Sequence, residues 1–297
     1  MAFKSYYKLV KYKNLNKIPF YLENVGSDSA TLSYNTLYSD ATNVEYSTDM
    51  LTWSSTPPTV PVNGKVYIRA NATTWCTNVS SVSARFRLGT AYNAGGNIMS
   101  LLYGSNFTGN ETAFPDNTKT DIFYGFFQGY GYDNGALKSV EQLLLPATTL
   151  AYECYGKMFC SCTSLTTAPV LPATTLTNYC YSNMFRGCTA LTAAPALNAT
   201  TLTQGCYQLM FYECTSLTTA PTLPATTLVY SCYNAMFNGC TSLTNVTCLA
   251  TSISASQCTN NWLNGVAANG TFTKAASMSS WTTGANGIPS GWTVQDA

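Results

Sequence analysis

Cysteine is the residue whose number and spacing could do chemistry in this chain. Twelve occur, and nine of them fall in two columns: Cys154, Cys180, Cys206, Cys232 and Cys258 recur every 26 residues, and Cys162, Cys188, Cys214 and Cys240 keep the same interval. Three chemistries suit such thiols. Metal binding wants His partners or C-x-x-C pairs, whereas His is absent and the one C-x-C, Cys160 and Cys162, occurs in a single copy. Disulfides are the second, but Cys76 stands alone in another part of the chain, and Cys160 and Cys248 fall outside the columns. The third, preferred here, is buried free thiols filling a small apolar slot. No metal and no cofactor is expected.

Acid–base chemistry has less to draw on. Without His there is no side chain whose ordinary pKa makes it a base near neutral pH. Cleavage of a glycan needs a pair of carboxylates. The repeated region offers only Glu153 and Glu213, more than two repeats apart, and they are not expected to converge. Asp116, Asp121 and Asp133 form the only dense acidic group. The chain is read as a protein that is not an enzyme.

The element that must carry the Cys columns is a phrase spanning 143–263, written four times and half-written a fifth. Leu165, Leu191, Leu217 and Leu243 keep its 26-residue period, as do Met158, Met184, Met210 and Met236. A fixed period of about 20–50 residues marks a solenoid, whose units bury their apolar faces against one another. Within one copy, Leu165–Pro169 reads as extended, because Pro disfavours helix at the residue before it. Leu176, Cys180 and Met184, with Tyr181 and Phe185, then recur at four-residue steps, as on one face of a short helix. Each repeat is therefore expected to be a brief parallel strand, a corner and a short helix. The Thr pairs, such as Thr174 and Thr175, are expected to bond and cap at the corner.

Around the repeats the pattern changes. Residues 19–92 alternate with period two, in ATLSY, NVEYS, KVYIRA and VSARFRL, and suggest a small antiparallel β-sandwich with Trp53 and Cys76 in or near its core. Residues 93–142 form a junction and N-terminal cap, a worn repeat in which Phe126 and Phe127 replace the Met–Phe pair. Residues 264–297 form a C-terminal cap whose Trp281, Ile288 and Trp292 cover the last rung or, alternatively, line a ligand site. Residues 1–18 carry five Lys and no acid. They are either a solvated terminus or an attachment arm, with Tyr6, Tyr7, Lys8, Lys11 and Tyr12 as its anchors and rim.

Composition limits the partners. Charged residues are 9% and the net charge is +1, too little for binding nucleic acid by phosphate neutralisation. No run of about 18 apolar residues is present, so no membrane-spanning helix is expected. The N-terminus makes a poor signal peptide, which points to synthesis in the cytoplasm and delivery by another route.

Residues that differ between copies are free to recognise something. Tyr152, Lys157, Asn178, Tyr179, Arg186, Gln204, Gln208, Tyr212, Tyr230 and Asn234 are assigned to an outward helix face rich in Tyr and amides. Such a face suits sugar or protein surfaces; the competing reading is neutral, solvated filler.

The columns L-P-A-T-T-L, C-Y-x-x-M-F-x-x-C-T-S-L and L-T-T-A-P resemble the BspA-type leucine-rich repeats of bacterial surface proteins, over roughly residues 125–263. The ending G-T-F-T-K…W-T-T-G-A-N-G-I-P-S-G-W-T-V looks like the cap of such proteins in gut Bacteroides-type bacteria and their phages. The resemblance implies a leucine-rich-repeat solenoid and a role in adhesion; with the sandwich read from the alternation, the fold class expected is α+β, a β-sandwich followed by a short leucine-rich-repeat solenoid with terminal caps. With no export signal or anchor recognised, the expectation is a phage structural protein, a virion fibre or decoration. Its N-terminal part would hold other virion proteins, it would form homo-oligomers, and it would recognise a host through a bacterial surface glycan or protein. The alternative is a BspA-like adhesin on a bacterial cell surface.

Overall fold

The computed structural model describes residues 16–34, 41–73, 75, 86–116, 118–129, 136–279 and 281–297. Alternation builds its first part. In β5 (Lys65–Asn71) every second residue is buried, so Val66, Ile68 and Ala70 face the core while Lys65, Tyr67 and Arg69 do not. β5 pairs antiparallel with β1 (Tyr21–Asn24) and β3 (Thr42–Ser47), and β1 pairs antiparallel with β7 (Tyr92–Asn97). β8 (Leu137–Leu144) joins β7 in parallel, which completes a sheet ordered β3-β5-β1-β7-β8. A second sheet, ordered β4-β2-β6, comprises β2 (Ala30–Tyr34), β4 (Thr59–Val60) and β6 (Phe86–Leu88).

One glycine lets these strands meet. Gly96 has φ +75°, and a Cβ there would lie 2.1 Å from the carbonyl oxygen of Pro19. No other residue tolerates both. Between β7 and β8 lies α1 (Ser100–Tyr103), the only α-helix among the described residues, followed by a 3-10 turn, Gly104–Asn106.

The first core is aromatic and runs directly into the repeats. Phe20 packs on Phe126 and Phe127 at ring-centroid distances of 5.8 and 6.0 Å, and Trp75 packs on Phe86 and Phe126 at 5.3 and 6.0 Å. Trp75 also donates its indole N–H to the Leu101 carbonyl at 3.0 Å. Trp53, expected in or near this core, is instead half-buried beneath the Arg69 guanidinium, 4.1 Å from its ring centre.

The repeats are not built as expected. Their four-residue apolar spacing belongs to a run of tight turns, not to a helix. From Glu153 to Cys162 the backbone N–H groups alternate in destination. Cys154, Gly156, Met158, Cys160 and Cys162 each donate three residues back, whereas Glu153, Tyr155, Lys157, Phe159 and Ser161 donate to the next copy, at Asn178, Cys180, Ser182, Met184 and Arg186. Every fourth residue takes a left-handed φ: Glu153, Lys157 and Ser161, then Tyr179, Asn183 and Gly187, then Gly205, Leu209 and Glu213. Each copy thus satisfies half of its turn-run donors locally and half on its neighbour, with no orphaned N–H in the run. The extended halves of the copies touch through single parallel bridges such as Thr149↔Thr175 and Thr219↔Asn245. Only at the end do they become a sheet, ordered β11-β10-β9 and all parallel, of β9 (Asn245–Cys248), β10 (Gly270–Lys274) and β11 (Trp292–Asp296).

The fold class is therefore corrected. The described residues form a helix-light β fold of three small sheets, not an α+β sandwich followed by a leucine-rich-repeat solenoid with a helix in each copy. The Thr pairs have no helix to cap, and they lie exposed.

Inside the stacked copies, identical side chains lie in files. Phe127, Phe159, Phe185, Phe211 and Phe237 stack at 5.4–5.6 Å, within 11° of parallel. Phe123, Tyr155, Tyr181, Tyr207 and Tyr233 stack at 5.9–6.1 Å. Trp262 and Trp281 extend the second file beyond Tyr233, at 6.3 and 5.5 Å.

Candidate binding face

The turn run alternates inward pairs with pairs that lie at or near the surface. In each copy the inward pairs are Cys–Tyr and Met–Phe, fully buried as in Cys180–Tyr181 and Met184–Phe185. The intervening pairs fall on three parallel ridges, held in register by the bonds between copies. The first ridge carries Tyr152, Asn178, Tyr179, Gln204 and Tyr230. Lys157, Gln208 and Asn234 lie on the second, and Arg186 and Tyr212 on the third. All ten residues assigned to a helix face are thus brought together, but on a face of turns rather than of helices.

On the first ridge the rings lean from one copy to the next. Tyr152 meets Tyr179 edge to face at 5.9 Å. Tyr179 lies over Gly205, where a Cβ would come within 2.3 Å of its ring, and Gln204 donates its side-chain amide to the Tyr179 hydroxyl. The cations on this face lie over rings: Arg186 is 4.8 Å from the centre of Tyr212, and Lys157 is 5.3 Å from that of Tyr124. Tyr152 and Tyr230 are the most open of the large side chains here, at 43% and 44% exposure. The face presents rings, amides and hydroxyls with few charges, a set that contacts sugar rings or polar protein surfaces without a charge requirement.

One pair of acids does meet, and sequence reasoning missed it. Asp121 donates its N–H to the Tyr152 carbonyl, so it sits in the column of Glu153, one copy earlier. Burial, followed by hydrogen bonding to Asp121 and its charge, raises the Glu153 carboxyl above its usual range. Asp121 Oδ1 is itself buried with no hydrogen-bond partner. The signal lay in aligning DIFYGFFQ with ECYGKMFC, a step of 32 residues that six extra residues move off the 26-residue period. Glu213 lies in the third-ridge column, away from this pair.

The thiols have structural partners. All eleven described Cys are buried. Cys188, Cys214 and Cys240 donate their S–H to the carbonyls of Phe159, Phe185 and Phe211 at 3.0–3.1 Å, each 29 residues earlier, and Cys162 does the same to Phe127. Among the described residues, no group of three or more His, Cys, Asp or Glu is placed to hold a metal, and no helix is long and apolar enough to cross a membrane. The attachment residues Tyr6, Tyr7, Lys8, Lys11 and Tyr12, along with Cys76 and Asp133, lie outside the described residues.

Compared with known proteins, the chain matches no family model, no curated protein and no solved structure.

Proposed function

We propose that this chain is a non-enzymatic structural protein of a phage particle, a fibre or a capsid or tail decoration. Its N-terminal part holds it to other virion proteins, and its stacked copies face a bacterial surface. The observation that supports this reading is the division of labour within each copy. Residues that repeat (Cys, Tyr, Met, Phe) are buried in files, while the residues that differ gather on one outward face of rings and amides. A surface that varies over a constant support is what recognition needs. The resemblance of the repeats to BspA-type surface proteins favours the same role.

The test is location and attachment together. The protein should copurify with particles and bind host cells, and replacing Tyr152, Tyr179 and Tyr230 together by Ser should weaken cell binding at least tenfold with the melting temperature unchanged. A chain found only free in infected cells overturns the reading; one found on the outside of uninfected bacteria replaces it with a cell-surface adhesin.

A further inference from the structure

The last turn run has no further copy above it. In place of one, the segment 281–288 folds back over it and is pinned at several points. Trp281 stacks on Trp262 at 5.5 Å, within 9° of parallel. The Trp262 indole N–H donates to the Gly287 carbonyl at 2.8 Å, and the Thr259 hydroxyl to the Asn286 carbonyl at 2.9 Å. The Asn261 N–H donates to Asn286 Oδ1 at 2.7 Å. Between this segment and the first two ridges there remains a cleft of about 300 Å³, lined among others by Ile253, Ala255, Gln257, Asn260, Thr282 and Asn286.

The lining specifies a ligand. None of the residues around the cleft is charged, so neither an anion nor a cation finds a counter-charge, and desolvating one there would be costly. Two amides are fixed in orientation by their outer bonds. Gln257 Oε1 accepts from the Ser231 hydroxyl and the Asn234 amide, at 3.3 and 3.4 Å, and Asn286 Oδ1 accepts from the Asn261 N–H. In each the NH₂ group is not engaged by those bonds and can meet an occupant that supplies acceptors. Asn260 and Thr282 add groups that both donate and accept. Ile253 and Ala255 give an apolar wall. The volume lies at the small end of the range for small-molecule clefts, about 300–1,000 Å³. An occupant with one C–H-rich face, a rim of hydroxyls and no charge is a pyranose ring.

We infer that this cleft is a binding site for one neutral monosaccharide unit of a surface glycan, an inference that rests on the adhesion reading above and gives it a ligand class.

The test uses the full chain and saturation-transfer NMR with glucose, galactose, mannose and N-acetylglucosamine, with glucuronate as the charged control. At least one neutral sugar should give a signal and glucuronate none. Asn260→Ala and Asn286→Asp, the second of which keeps the acceptor for Asn261, should each weaken binding at least tenfold with the melting temperature unchanged. Leu51→Ser, at an exposed position in the N-terminal part, should leave the signal intact. If no neutral sugar in the panel binds, or if both cleft variants bind like the parent, the inference fails. Cell attachment separates the two readings. Attachment without any sugar signal discards the cleft and leaves adhesion standing, whereas a sugar signal mapped to the cleft without attachment keeps the cleft and discards adhesion.

Discussion

Individual side chains divide sharply between those that repeat and those that do not. The repeated letters were legible as core because every one of Cys180, Tyr181, Met184 and Phe185 recurs in phase, and all are buried. What could not be read was how the polar atoms inside that core are satisfied. The column from Cys188 to Cys240 fills space and also bonds to Phe carbonyls, which a choice between thiol and disulfide does not reveal. The Tyr file shows the opposite case, since the hydroxyls of Tyr155 and Tyr233 are buried without a partner. An unpaired buried hydroxyl costs about 1–3 kcal/mol. Tyr233→Phe keeps the ring in its file and removes that cost, so it should raise stability by about 1 kcal/mol. Urea denaturation of the two proteins checks this, and a lower midpoint for the variant would count against an unpaired hydroxyl.

The repeated element explains why a helix was expected. A helix with 3.6 residues per turn and a turn run with four both place positions i, i+4 and i+8 on one side. Over a span as short as Cys154–Cys162 the two periods cannot be separated by apolar spacing alone. The distinguishing sign was Gly205, which takes a left-handed φ in the interior of the expected helix and would weaken it; Gly187, Gly239 and Gly265 lie where a helix would also end on Gly. A substitution that separates the two follows from this. Leu209 has φ 55°, a conformation that costs a residue with a Cβ about 1–2 kcal/mol. Leu209→Gly should therefore leave stability unchanged or raise it by up to about 1 kcal/mol, whereas in a helix the same change costs about 1 kcal/mol. Calorimetric melting of parent and variant decides, and a fall of several degrees would speak for a helix.

Taken whole, the molecule is one continuous core, with Phe20, Trp75 and Phe126 passing without a break into the Phe and Tyr files. The division expected near residues 92 and 142 was drawn where the sequence pattern changes, but β7 spans the first position and β8 the second, and the two pair with each other. Composition changes there because antiparallel alternation gives way to turn runs, while burial continues across. One core also means one pH response. Burial pushes the thiols of Cys154, Cys206, Cys232, Cys240 and Cys248 up to about 12. In the unfolded chain they ionise near about 8.5. Their raised values contribute stability that is fully present below about pH 8.5 and is lost as pH rises towards 12. Stability therefore declines through that window, so the melting temperature, followed by circular dichroism under reducing conditions, should fall above about pH 9. A melting temperature flat to about pH 11 would contradict the burial of the thiols. The parallel pairing of β7 with β8 bears finally on how the chain responds to a pull between its two parts. Tension between the part before β7 and the stacked copies after β8 would be carried by backbone bonds along those two strands. Pulled lengthwise, such bonds share the load and yield together, not one after another.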